Sequence, residues 1–156
     1  CSLPEPSAGR GRGSSSHHAF LGGLLEHSVA VAQMALELCA VHLRLDRDLL
    51  LCAALVHDLG KTREYAYGAE VTRTEEGLML GHVELGLRLI AAHAPPTLGA
   101  ERRVALEHCV LTHHGVGEGS ASAQRFASPE ALALARLNSL DAGVKGAFER
   151  GLGSTR

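Results

Sequence analysis

A chain of 156 residues with 46% hydrophobic and 21% charged side chains can build one domain with a proper core, and is too short for two comfortable ones. Its net charge of −2 excludes the strong basic excess of a dedicated nucleic-acid binder, so any RNA or DNA contact must come from a local patch. Aromatic residues make up only 3%, with no Trp, which leaves Leu, Ala and Val to fill the core and favours helices over sheets.

Residues 1–16 are rich in Ser, Gly, Pro and Arg without a periodic apolar face. They read as a flexible lead-in, or as a linker from something larger, since the chain begins with Cys1. From Ala19 to about Leu43, the residues Leu21, Leu24, Leu25, Val29, Ala32, Leu36 and Ala40 recur at helical spacing. Asp46 is placed to cap a second helix that runs to about Leu59 and stops at Gly60.

The stretch from Thr62 to Glu76 has little periodicity and reads as an irregular excursion. A third helix is predicted from Gly77 to His93, ending before Pro95-Pro96, and a fourth from about Gly99 to His113. The Gly- and Ser-rich stretch from Gly115 to Ser128 reads as a loop. Ser128-Pro129-Glu130 then starts a last helix carrying Leu132, Leu134, Leu137, Leu140 and Val144. The expected fold is a compact all-α bundle of about five main helices.

The cysteines, Cys1, Cys39, Cys52 and Cys109, show no CxxC spacing, and three of them lie in apolar helical runs as small hydrophobes. That pattern suits a reduced, cytoplasmic protein. No apolar run reads as long enough to span a membrane, and no signal-peptide pattern opens the chain.

The most informative segment is Leu55-Val56-His57-Asp58-Leu59-Gly60-Lys61, where an apolar run ends in an adjacent imidazole and carboxylate. Two strong metal-binding groups at the end of a buried stretch need a partner. Four further candidates, His27, His82, His113 and Asp141, sit on separate predicted helices or at their ends. Facing helices that each contribute inward side chains are how bundles build metal sites. Imidazole and carboxylate together suit one or two divalent Mn, Fe, Co, Ni or Zn ions rather than calcium. Asp58 is the candidate bridge, because a carboxylate has two oxygens to share between ions.

The order His…His-Asp…Asp, with further histidines between, resembles the HD-domain metal-dependent phosphohydrolases. More closely, the opening His18-Ala19-Phe20-Leu21-Gly22-Gly23-Leu24-Leu25-Glu26-His27 is similar to the HD domain of YhaM-type 3′–5′ exoribonucleases. So are Leu55 to Lys61, Leu80-Gly81-His82, His113-His114-Gly115, Glu130-Ala131-Leu132-Ala133-Leu134 and Asn138-Ser139-Leu140-Asp141-Ala142. The resemblance implies an HD domain over residues 17–150, with a flexible tail at 151–156. It implies His27, His57, Asp58 and Asp141 at one metal, and His82, His113 and Asp58 at a second, with His114 as a further ligand or a substrate contact. Lys61 would lie beside the substrate phosphate, and Asp58 and Lys61 would carry the catalysis. The chain departs from the family at Ser139, where a second acidic residue is usual, and at Arg136, near which a histidine is usual. The OB-type domain of family members has no counterpart in these residues.

The chemistry so implied is metal-dependent hydrolysis of phosphodiester bonds in single-stranded RNA or oligonucleotides, with manganese the favoured ion. Two alternatives are a phosphatase or phosphodiesterase for small nucleotides, and a metal-bound module that binds without catalysis. A cyclic-dinucleotide phosphodiesterase fits less well, since no Gly-Tyr-Pro follows His113-His114-Gly115. Arg125, in the loop after the His-His pair, is a candidate phosphate contact, and His18 either touches substrate or decorates a helix start. His42, His93 and His108 read as structural or exposed. The Ala- and Leu-rich helices fit packing against a second copy as readily as against each other, so the oligomeric state stays open.

Overall fold

In a computed structural model, described over residues 21–68, 70–117 and 125–151, the chain is helical with one small hairpin. The elements in order are α1 (Leu21–Val41), α2 (Arg47–Val56), α3 (Lys61–Glu64), β1 (Tyr65–Tyr67), β2 (Val71–Arg73), α4 (Glu75–His93), α5 (Ala100–Thr112) and α6 (Pro129–Glu149). Five longer helices thus form the all-α fold expected. The stretch after Lys61 is more regular than expected: β1 and β2 pair antiparallel, with Ala66 opposite Thr72.

Local chemistry accounts for the helix starts. The Asp46 side chain accepts from Leu49 N at 3.0 Å, and Ser128 Oγ accepts from Ala131 N at 3.1 Å with Pro129 in the first turn of α6. Thr74 caps α4 by accepting from Gly77 N at 2.9 Å, so this helix starts two residues before the predicted Gly77. Gly81, at φ +70°, breaks α4 internally and turns the chain immediately before His82.

The core is a seam of Val31, Ala35 and Cys39 from α1 and Leu50, Ala53 and Ala54 from α2, closed by residues of α4, α5 and α6. Small side chains at Ala53, Ala54 and Ala131, all fully buried, let the helices approach closely. The buried stripe of α1 differs from the leucine pattern. Leu25 and Val29 are exposed, while Leu24, His27, Ser28, Val31 and Ala35 face inward. The α6 stripe shifts likewise, burying Ala131, Leu134, Ala135 and Asn138 and exposing Leu132, Leu140 and Val144. In both helices the inward face carries the polar groups of one central site, so hydrophobicity alone marks it poorly.

Two expectations need correction. Gly22–Val41 is long and apolar enough, by length and composition, to cross a membrane. Here it packs against α2 and α6 with a histidine and a serine turned inward, as a core helix does. Of the cysteines, Cys39 and Cys109 are buried, with burial pushing the Cys109 thiol up to about 12, but Cys52 is exposed rather than packed in the core.

Candidate metal centre

α2 ends at Val56, but His57 and Gly60 keep right-handed helical dihedrals, and the turn continues through short-range bonds. Leu59 N donates to Val56 O at 3.0 Å and Lys61 N to Asp58 O at 2.9 Å. This tight turn aims His57 and Asp58 inward and brings Lys61 back over them. Gly60 allows it to seat against α4: a Cβ there would overlap His82 O and Gly86 N.

Four histidines, His82 among them half-buried, have their rings fixed from behind. His57 Nδ1 donates to Ala54 O at 2.9 Å and His113 Nδ1 to Val110 O at 2.6 Å. His27 Nδ1 donates to the Asp141 carboxylate at 2.6 Å, and His82 Nδ1 faces Glu64 Oε2 at 3.2 Å. With Nδ1 carrying the proton, Nε2 of His57, His82 and His113 presents a lone pair toward Asp58, while Nε2 of His27 lies nearer to Asn138 Oδ1 than to Asp58.

Asp58, almost fully buried, divides these nitrogens between its two oxygens. Oδ2 lies 3.5 Å from His57 Nε2 and 3.8 Å from His27 Nε2, which are themselves 3.2 Å apart. Oδ1 lies 3.5 Å from His113 Nε2 and 3.6 Å from His82 Nε2, and His114 Nε2 is 2.8 Å from His82 Nε2. Two groups of potential ligands result: His27, His57 and Asp58, and Asp58, His82, His113 and His114.

The donor set and its spacing fit divalent ions. Atoms bound at about 2.1 Å to one ion sit roughly 3.0–3.4 Å from each other, which is close to the separations observed here. Asp58 Oδ1 and His113 Nε2 are buried with no hydrogen-bond partner among the described residues, a costly arrangement that a cation between them would relieve.

Charge follows the same pattern. Burial lowers His57 to about 4, His82 to about 3 and His114 to about 4, so all three imidazoles are neutral and ready to ligate at pH 7. Burial pushes the Asp58 carboxyl up, but contact with His113, the positive charge that His57 takes on in acid and the Lys61 ammonium outweigh it and hold it well below the usual carboxylate range. Burial likewise opposes ionisation of Asp141, yet His27 and Lys145 draw its carboxyl down.

The other expected residues fall as follows. Lys61 Nζ donates to Asp58 Oδ2 at 2.6 Å from the cavity wall. Because α5 ends at Thr112, His113 and His114 both reach the cavity, with ring centroids 4.0 Å apart. Asp141 lies behind His27, between its Nδ1 and Lys145 Nζ at 3.0 Å, and outside both ligand groups. Glu26 is paired with Lys145 at 3.4 Å. Arg125 is exposed and does not line the cavity, whereas Arg136 and Ser139 do. His18 lies outside the described residues. His42 and His93 are exposed, and His108 accepts from Ala127 N at 2.9 Å, as structural side chains do.

Two site residues escaped the sequence reading. Glu64, fully buried between His82 and Arg73, was hidden in the stretch read as irregular, although an acidic residue one turn after Lys61 was a usable signal. Burial raises its pKa, against the pull of Arg73. Asn138 Oδ1 meets His27 Nε2 at 2.9 Å and its Nδ2 donates to His113 O at 3.1 Å, tying α6 to both halves of the site. A cavity of about 640 Å³ opens over these groups, bounded by Lys61, His114, Phe126, Arg136 and Ser139.

Comparison with known proteins agrees with this geometry. The HD domain family model matches residues 24–143. The chain is 34% identical over 146 residues to the 3′-5′ exoribonuclease YhaM of Shouchella clausii, covering 89% of this chain and 44% of that protein. It is 38% identical over 104 residues to YhaM of Bacillus pumilus, covering 66% of this chain and 33% of the relative. With YhaM of Bacillus licheniformis it shares 34% over 130 residues, covering 83% and 41%. The chain thus spans less than half the length of these relatives, and no solved structure matches it. With the family pattern running from α1 to α6 through every element of the site, the chain belongs to the HD-domain family.

Proposed function

We propose that this chain is the catalytic unit of a two-metal phosphodiesterase that removes nucleotides from the 3′ end of single-stranded RNA. The observation that carries the reading is the division of Asp58, with Oδ2 turned to His27 and His57 and Oδ1 to His82 and His113. A buried carboxylate so placed would serve two ions, one held with His27 and His57 and the other with His82, His113 and His114, while Asp141 orients His27 from behind through its Nδ1. The names of the relatives support RNA as the substrate class. When bound, such ions activate water and offset the charge that builds on phosphoryl oxygens.

The chain's own residues do the rest. Ala54 O and Val110 O hold the Nδ1 protons of His57 and His113, keeping both rings in the ligating tautomer through the reaction. Lys61 sits at the cavity wall within reach of a phosphate, and its ammonium stabilises charge there. His114, at the exposed end of the second group, can contact substrate as well as metal. Manganese suits a histidine and carboxylate set of this kind.

The test is a gel assay of 5′-labelled single-stranded RNA with Mn²⁺, using Asp58→Ala as control. A ladder shortening stepwise from the 3′ end, absent in the variant, is expected. Intact RNA alongside hydrolysis of small nucleotide esters would move the activity to free nucleotides. Full hydrolysis by Asp58→Ala would overturn the site assignment itself.

A further inference from the structure

A second cavity, of about 680 Å³, lies along α6 on the side toward its N-terminus. Leu38, Leu45, Leu132 and Leu137 form its apolar surface, and its polar groups are His42, Arg44 and Arg136. Among the described residues, no carboxylate side chain lines it. Arg136 lines both cavities. Arg63, Arg73, Arg88, Arg102 and Arg103 each have a carboxylate partner. Arg44 and Arg136, like Arg47, Arg125 and Arg150 away from the groove, have no ion-pair partner among the described residues.

An apolar surface rimmed by unpaired arginines, with the nearby acids Asp46 and Glu130 engaged by Arg102 and by the Asp46 backbone N–H, is suited to a ligand with flat apolar faces and regularly spaced negative charge. We propose that this groove holds the nucleotides of an RNA strand on the 5′ side of the bond being cleaved, with Arg136 and Arg44 taking successive backbone phosphates. The inference rests on the strand-cleaving reading above. It also supplies the local patch that a chain of net charge −2 needs in order to hold RNA.

The length of the track follows from α6. Asn138 touches His27 at the metal centre and Pro129 lines the far end of the groove. Nine helical steps separate them, about 13 Å, enough for three to four stacked nucleotides at ~3.4 Å each. Phe126, on the metal-cavity wall, offers a ring for the base nearest the cleavage point. Arginine contacts of this kind position the strand without reading its sequence, so little base preference is expected.

Anisotropy of labelled single-stranded RNAs of one to eight nucleotides, with cleavage-resistant phosphorothioate linkages and Mn²⁺-loaded protein, tests the track. Affinity should rise with length and level off at about four nucleotides. Arg136→Ala and Arg44→Ala should each weaken the four-nucleotide ligand about tenfold and flatten the salt dependence by roughly 0.7 in log–log slope. Their circular dichroism should match the parent, since neither side chain holds an ion pair. Affinity independent of length, or unchanged in both variants, would overturn the inference even if RNA is hydrolysed. Binding as described, with no metal-dependent cleavage of RNA, would instead keep the groove and overturn the catalytic reading.

Discussion

The Glu64 carboxylate lies 3.2 Å from Nδ1 of His82 through one oxygen and 2.8 Å from Arg73 Nη2 through the other. The β1–β2 hairpin is thereby tied through a buried acid to one of the two ligand groups. A carboxylate behind a ligating histidine sets its ring orientation and raises its basicity. Glu64→Ala is expected to weaken the second metal site 10–100-fold while the first stays filled, and Glu64→Gln to fall between Ala and the parent. Calorimetric Mn²⁺ titration of chelator-stripped protein reads this directly. Equal weakening of both sites would place Glu64 in the general architecture instead.

Asp58 belongs to both ligand groups and His82 to only one. Asp58→Ala should therefore reduce bound metal from two ions toward none, and His82→Ala from two to one. Metal analysis of the purified variants gives the counts. Retention of two ions by Asp58→Ala would remove the bridge.

Lys61 is a neighbour of the ligands and lines the cavity. Its loss should spare metal content but lower turnover about 10- to 100-fold, because it acts on charge that develops during the reaction. The comparison is kcat beside metal stoichiometry for Lys61→Ala. A fall in metal content of similar size would assign the lysine to assembly of the site.

The metal-free protein should lose stability in mild acid. His57, His82 and His114 titrate at about 4, 3 and 4 in the folded chain against 6.5 as the ordinary value. Between these limits the unfolded chain binds more protons, so stability falls as pH drops from about 6.5 toward 4. His57 alone removes about 2 kcal/mol by pH 5. Asp58 and Asp141, held low, keep their contribution until the pH falls below the carboxylate range. Melting of chelator-treated protein at pH 7 and pH 5 should show a drop of several degrees; equal values would mean that these rings are solvated.

Gly60 packs where a side chain would meet the α4 backbone at His82 and Gly86. Gly60→Ala must separate the His-Asp turn from α4, at a cost of about 1–3 kcal/mol. Denaturant unfolding measures the loss, and a lowered affinity for the second ion should accompany it. Unchanged stability would show that the two segments part easily.

The sequence by itself determined the chemistry and most of the helices. Side-chain types state what can ligate a metal, and Asp46, Ser128 and the Pro95-Pro96 pair act locally, within a turn of where they stand. The His57-Asp58 pair is legible for the same reason. What the chain could not show is which faces turn inward. α1 buries His27 and Ser28 and leaves Leu25 and Val29 outside, against its hydrophobic pattern, because the polar site forms the centre of the bundle. Only the tertiary structure decided that Glu64 stands behind His82, that Asn138 joins α6 to α1 and α5, and that Arg136 lines two cavities. Those relations link residues distant in sequence, and no local propensity encodes the distance between them.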